Sequence, residues 1–243
     1  MLFRLIKADF YKMKRTKFYM IHILVPLLSA FLLGLYCMLN MKDAMTKILH
    51  YSELESVVCP IVIAAVSSFI IENEFEASKF KEMLSLKCGK SMCLLSKILV
   101  LLIMFLFSLI IAMATLIISF KTIFKSTINF KLCSTIVLII FLTNIFMYLF
   151  HIFLSIQFGS GISIAVGMGE TLLSALMITG LGDVIWKWIP CSWSSRIVSY
   201  LGIAENTKTD IQYGSVVCFI LTTLCFILLF IWFHFFENVN RQH

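Results

Sequence analysis

Long apolar runs are the feature that most limits how this 243-residue chain can fold. Hydrophobic residues make up 60% of it and charged residues only 14%, so a soluble domain of this size would leave much hydrocarbon surface in water. About 20 apolar residues cross the core of a bilayer as a helix. The chain is therefore predicted to be an all-α membrane protein, with six transmembrane helices in one domain, residues 1–243. The predicted spans are residues 18–39, 57–71, 98–120, 133–156, 162–182 and 215–236.

Residues 1–17 are predicted to form a helix in the plane of the membrane surface. Leu2, Leu5, Ile6 and Phe10 fall on one helical face, and basic residues occupy much of the rest. This pattern places apolar side chains beside lipid tails and lysines beside anionic headgroups. The segment is not predicted to be a signal peptide, because the apolar run after it is too long and further spans follow.

Lysine and arginine are distributed unevenly around the first span. Six precede it, and two lie in the next segment, residues 40–56. Because cytoplasmic loops carry an excess of basic residues, both termini are predicted to be cytoplasmic, in a multi-pass protein of the cell membrane. Residues 72–97 then form the longest cytoplasmic loop, and residues 183–214 form an outer loop. The net charge of +7 suits anionic lipid, and nucleic-acid binding is not expected.

The predicted cytoplasmic loop opens with a dense run of mixed charge in FIIENEFEASKFKEMLSLKCGKS, residues 69–91. Ala77, Phe80 and Leu84 fall on one helical face, so residues 74–86 are predicted to form a short amphipathic helix with an exposed apolar stripe. The balanced charges favour a protein partner, while docking on lipid and a plain solvated connector stay open. The GKS at 89–91 is not a P-loop, because Leu84 stands where that motif needs its first glycine.

Ionisable residues inside the predicted spans are few. Glu170 is the acid placed deepest, and since a charge at the bilayer centre costs roughly 2.5–3.5 kcal/mol, it is expected to face protein or water. It could attract a cationic substrate, or it could be protonated and hydrogen-bonded to Thr143, Asn144 or a partner subunit. No metal site is predicted, because the eight cysteines contain no CxxC pair. Isolated histidines expected to be packing groups are His22, His151 and His234.

Three of the four tryptophans stand within eight residues after the fifth span: Trp186, Trp188 and Trp193. Tryptophan is typical of the membrane–water boundary, so one interpretation is an aromatic belt. The other is a surface that contacts an amphipathic cationic peptide in the outer leaflet, because Trp and Arg dominate binding hot spots. Pro190 would stiffen this segment, and Arg196 follows it.

The order of these elements resembles the permease half of ABC-2 type transporters, which have a charged cytoplasmic coupling helix between the second and third spans. Two blocks are more specific. The opening FRLIKADFYKMKRTKFYMIHILVPLL, residues 3–28, and LMITGLGDVIWKWIPCSWSSRIV, residues 176–198, look like the MutG-type permease subunit of lantibiotic self-immunity transporters. The sister MutE-type subunit shares the same general plan.

The resemblance implies an exporter that removes a lantibiotic or a similar cationic antimicrobial peptide from the cell membrane. The high content of lysine and isoleucine and the low content of arginine are compatible with a Gram-positive bacterium as the host. The resemblance also implies a separate, dimeric ABC ATPase, which binds ATP and magnesium, and a second, related permease. This chain itself is expected to bind no cofactor and to perform no covalent chemistry. Gly161, Ala165 and Gly169 favour a close helix contact, within the subunit or with the second permease. The residues assigned to the coupling helix are Glu74, Phe75, Glu76, Lys79, Phe80, Met83 and Leu84.

Other functions stay open from the sequence. Another ABC-2 exporter, of a lipid, a drug or a different peptide, would share the coupling helix but has no need of the block at 176–198. A membrane scaffold would lack an ATPase partner. A membrane-embedded enzyme would need several polar groups that converge inside the membrane.

Overall fold

The computed structural model describes residues 1–14, 16, 18–40, 44–81, 83, 89–124, 127–202 and 208–236. Within these residues all regular secondary structure is helical. Three 3-10 turns, Gly180–Gly182, Trp186–Trp188 and Pro190–Ser192, follow the seventh helix. The helices are α1 Leu2–Met13, α2 Phe18–Asn40, α3 Ala44–Ser78, α4 Lys90–Phe124, α5 Phe130–Thr143, α6 Ile145–Gln157, α7 Ser160–Ile178, α8 Trp193–Tyr200 and α9 Lys208–Phe235.

Five segments of the described chain are long and apolar enough to cross a membrane: α3, α4, α5 together with α6, α7, and α9. A sixth is obtained when α1 and the first part of α2 are taken together, and these two meet at an angle of 75°. The prediction of an all-helical, multi-pass membrane protein is confirmed. The bend between α1 and α2 is what an in-plane helix followed by a spanning helix requires.

Several helices extend beyond the predicted spans. The second span was expected over residues 57–71, whereas α3 runs from Ala44 to Ser78. Pro60 lies inside it, and the neighbouring Ile61 N–H donates to the Thr171 hydroxyl on α7 at 3.2 Å. Helix α4 begins within the predicted loop 72–97, and the predicted outer loop 183–214 contains α8. The fourth predicted span consists of two helices, α5 and α6.

Helix α3 is the centre of the packing. It contacts α2, α6, α7 and α8, and its Tyr51 and Ile63 are fully buried. Its backbone approaches α7 closely at Gly167. A Cβ added there would lie 2.5 Å from the Ala64 Cβ and 3.2 Å from the Pro60 carbonyl oxygen. The absence of a side chain at Gly167 therefore sets the distance between these two helices.

The small-residue stripe on α7 points away from the rest of the chain. Gly161, Ala165 and Gly169 are all exposed. Within the subunit, the close contact is made by Gly167 instead, so the stripe is left to face lipid or another subunit. Helix α9 is also exposed along most of its length.

Helix α1, the end of α3, the start of α4 and the end of α9 lie at one side of the membrane domain. Ion pairs join α1 to α3 and α4, and the Lys90 ammonium donates to the Phe236 carbonyl oxygen at 2.9 Å. This is the arrangement expected of an even number of spans. That this side faces the cytoplasm stays a prediction from the distribution of lysine and arginine.

Candidate functional site

A cluster of charged side chains joins three helices where α3 ends and α4 begins. The Lys97 ammonium lies 2.7 Å from the Glu74 Oε1 and 3.2 Å from the Asp9 Oδ1. Lys12 reaches the same Glu74 oxygen at 3.3 Å, and the Ser96 hydroxyl donates to the Asp9 Oδ2 at 2.5 Å. These five residues are named the junction cluster.

The junction cluster is buried, except at Lys12. Only 3% of the Lys97 side chain and 4% of the Glu74 side chain are exposed, whereas Lys12 is 49% exposed. Among the described residues, two ammonium groups balance two carboxylates, which is the condition under which buried charges are tolerated. Glu74 was predicted to face a partner ATPase, but its carboxylate is covered by this cluster. It therefore ties α3 to α1 and α4 instead.

The chain turns sharply after α3. Lys79 and Phe80 have φ values of 49° and 63°, in the left-handed region that non-glycine residues rarely adopt. Phe80 thereby packs on Phe75 and Phe236, with ring centroids 5.4 and 6.3 Å away. Phe80 and Met83 are buried, so the predicted exposed stripe is wrong for these two residues.

The surface that this segment exposes is charged rather than apolar. Glu76, Lys79 and Lys81 are exposed, and Phe75 is partly buried. Residues 74–86 were predicted to form a separate helix, whereas residues 74–78 are the last residues of α3. Leu84 lies outside the described residues.

Glu170 has its partner on a neighbouring helix. Its Oε2 lies 2.8 Å from the His151 Nε2, and the His151 Nδ1 lies 3.1 Å from the Ser163 hydroxyl. With the ring proton on Nε2, the carboxylate accepts from the imidazole and the imidazole accepts from Ser163. Thr143 and Asn144 were named as possible partners, but Glu170 pairs with His151, while Thr143 and Asn144 each donate to a carbonyl oxygen of α5. The network fastens α6 to α7 inside the membrane.

The tryptophan-rich segment after α7 folds into compact turns. Trp186 and Trp193 are fully buried, and the Trp193 Nε1 donates to the Lys187 carbonyl oxygen at 2.9 Å. The Trp186 ring lies directly on Gly214 of α9, where a Cβ would collide with it. Trp186 and Trp193 therefore present no surface to lipid or to a peptide in this structure, and they pack the turns onto the rest of the chain. Trp188 is 69% exposed and remains available for either role.

Arg196 holds these turns to the end of α7. Its guanidinium donates to the carbonyl oxygens of Met177 and Thr179 and lies 2.8 Å from the Asp183 carboxylate. Gly182 permits this approach, because a Cβ there would collide with the Met177 carbonyl oxygen. Arg196 is buried, and its guanidinium faces this chain's own turns; its predicted contact with substrate stays a prediction.

The turns present apolar side chains outward. Pro190 is partly buried and opens the third 3-10 turn. Lys187 and Asp210 form an ion pair at 2.5 Å, which ties this region to the first turn of α9. The exposed apolar residues, named the apolar edge, are Leu181, Val184, Ile185 and Trp188.

The thiol of Cys191, in the third turn, is expected to resist alkylation. Burial, together with the nearby Glu170 carboxylate, raises its pKa to about 12, so little thiolate forms at neutral pH. With all other cysteines replaced by serine, N-ethylmaleimide should modify Cys191 at least about tenfold more slowly than a Val184→Cys residue on the apolar edge. Denaturation in SDS should make the two rates similar, and similar rates in the native protein would contradict the burial of this turn.

From the sequence, no role was assigned to three residues whose carboxylate or ammonium groups matter in the structure. Asp9 is the one acid within residues 1–17, and this was a usable signal for an ion pair. Lys97 stood at the end of a predicted loop, where lysines are ordinary. Glu55 was assigned to the outer segment 40–56 because the apolar run begins after it, whereas it lies well inside α3.

Comparison with known proteins agrees with this architecture. The profile of the ABC-2 family transporter proteins matches residues 5–179, which cover most of α1 and all of α2 to α7. No curated protein matches the chain. Since the matched region is more than two thirds of the chain, this protein belongs to the ABC-2 family of transporter membrane proteins, as a multi-pass permease whose family implies a separate ABC ATPase partner.

Proposed function

We propose that this permease removes a lantibiotic or a similar cationic antimicrobial peptide from the cell membrane, and so protects the cell. The observation that supports this most is the apolar edge, which the buried Trp186, Trp193 and Arg196 hold in a fixed position. Side chains that are already fixed bind at a low cost in conformational entropy. An amphipathic peptide in the outer leaflet would meet this edge with its apolar face.

Motion from the ATPase would reach the spans through the segment after α3. We assign the ATPase contact to the exposed charges Glu76, Lys79 and Lys81, while the buried Phe80 and Met83 anchor the segment to this chain. The junction cluster lies beside the same helix end, so a displacement there would move α1, α3 and α4 together. ATP and magnesium would be bound by the dimeric ATPase, and a second, related permease would complete the complex.

Trp188→Ala is expected to lower protection about tenfold, equivalent to about 1.4 kcal/mol, since tryptophan is one of the residues that dominate binding surfaces. The chain is expressed with the ATPase and the related permease of its own host in a sensitive bacterium. The measurements are the nisin concentration that stops growth and the nisin that remains on the cells. Phe130→Ala is the matched control, because Phe130 is an exposed aromatic residue at the start of α5 and is not one of the residues of the apolar edge.

Two outcomes would contradict the proposal. Cells that assemble the complex but stay fully sensitive to a panel of lantibiotics would exclude peptide export and favour an ABC-2 exporter of a lipid or a drug. An equal loss of protection in Trp188→Ala and Phe130→Ala would show that the apolar edge has no particular part in transport.

A further inference from the structure

A cavity of about 110 Å³ lies between α2, α3, α4 and α6. On α3 its wall is one helical face that runs from Glu55 through Cys59 to Val66, about 16 Å at 1.5 Å per residue. Val25 on α2 and Val58 on α3 also line the cavity, and they are 41% and 44% exposed. The cavity therefore opens between α2 and α3, toward the lipid.

Glu55 lies at the end of the cavity that approaches the membrane surface. It is separated from Glu74 of the junction cluster by 19 residues, or about 28 Å of helix. This is close to the thickness of the hydrocarbon core, about 30 Å. The two carboxylates thus lie near opposite boundaries of that core. With the junction cluster on the cytoplasmic side, as predicted, Glu55 is at the level of the outer leaflet.

The carboxylate of Glu55 has no donor within the described part of the chain, and among the described wall residues none is a lysine or an arginine. The polar groups around it are already occupied. The hydroxyls of Ser29 and Tyr51 pair at 3.2 Å, and the Ser108 hydroxyl donates to the His22 carbonyl oxygen at 3.0 Å. Since the cavity wall is mostly apolar, a carboxylate beside it is stabilised when a cation accompanies it. The other titratable groups of the wall are His22, Cys59 and Tyr148.

We propose that this cavity receives one side chain with a primary ammonium group, a lysine of the exported peptide. The ammonium lies at Glu55, and the four-carbon stem lies against the apolar wall formed by residues such as Val62 and Ile63. The volume suits one side chain rather than a whole peptide, since a cavity of about 150 Å³ holds a molecule the size of benzene. The inference rests on the peptide export proposed above, and it names a contact by which the peptide is held.

Binding of a simple ammonium compound by the full chain tests this inference. The chain is placed in nanodiscs made with phosphatidylcholine, a lipid that carries no net charge and no primary amine. Binding of hexylammonium and of hexanol is measured by titration calorimetry, with empty nanodiscs subtracted. The wild type is expected to bind hexylammonium at least about tenfold more tightly than Glu55→Gln does. Hexanol should bind both proteins equally, which shows that the cavity of the variant is intact.

Glu53→Gln is the matched control. Glu53 lies on the same helix but pairs with His50 at 3.3 Å and does not line the cavity. Its replacement should leave hexylammonium binding unchanged. Equal binding by the wild type and Glu55→Gln would overturn the inference while peptide export still stands.

The growth assay separates this inference from the proposed function. Glu55→Gln should lower protection against nisin about tenfold in the assembled complex. Full protection by Glu55→Gln would overturn the peptide lysine as the occupant. The wild-type complex could also give no protection although hexylammonium binding depends on Glu55. That result would contradict the proposed peptide export, and it would exclude a peptide lysine as the occupant of the cavity.

Discussion

Replacing Lys97 with methionine should lower the free energy of unfolding by about 3–5 kcal/mol, the loss typical when one partner of a buried ion pair is removed. Lys97 lies 2.7 Å from Glu74 and 3.2 Å from Asp9, and only 3% of its side chain is exposed. Without its ammonium, two carboxylates stay in the junction cluster, and Lys12 is the one cation that remains among the cluster's described residues. Unfolding of the full chain by SDS in mixed micelles, followed by circular dichroism, measures the change.

Lys12→Met is the matched control, because Lys12 contacts the same Glu74 oxygen at 3.3 Å but is half exposed. An exposed ion pair contributes about 0–1 kcal/mol, so this variant should unfold almost as the wild type does. Adding Glu74→Gln to Lys97→Met should recover part of the loss, because it removes one uncompensated charge. If Lys97→Met lowers the free energy of unfolding no more than Lys12→Met does, the junction cluster is not what holds α1 to α3 and α4.

The apolar runs located the parts of the helices that cross the membrane but not the helix ends. The predicted span 98–120 lies wholly inside α4, whereas α3 is twenty residues longer than the predicted 57–71. The bilayer determines which residues of a helix must be apolar, but the helix itself continues where its backbone hydrogen bonds continue. α3 therefore runs on through the polar segment 72–78, which contains three glutamates. The break after α3 occurs at Lys79 and Phe80, and no glycine or proline marks it in the sequence.

The candidate site was predictable in composition but not in contacts. Three tryptophans near a span indicate the membrane boundary. Whether each ring faces lipid or protein, however, depends on which distant part of the chain packs against it. Trp186 is covered by Gly214 of α9, which no local pattern reveals. Lys97 and Glu74 are 23 residues apart on two helices, and their pairing depends on how the intervening chain turns. Trp188 is exposed, as both interpretations of the sequence require.

Gly167→Leu should destabilise the chain by about 3 kcal/mol, at the upper end of what overpacking costs. Even a Cβ at this position would lie 2.5 Å from the Ala64 Cβ and 3.2 Å from the Pro60 carbonyl oxygen. The second contact is with backbone of α3, which cannot rotate away as a side chain does. α7 must therefore move off the central helix, and the SDS unfolding assay should show a lower midpoint.

Gly169→Leu is the matched control on the same helix, because a Cβ there meets nothing within 4 Å and the position is exposed. The isolated chain should unfold as the wild type does. If the stripe of Gly161, Ala165 and Gly169 packs on the second permease, Gly169→Leu should instead lower the yield of complex recovered through a tag on that partner. The two variants, only two positions apart, would then distinguish a helix contact within the chain from a helix contact between chains. Equal loss of stability in both variants would contradict the close approach of α3 and α7, because only Gly167 lies at their crossing.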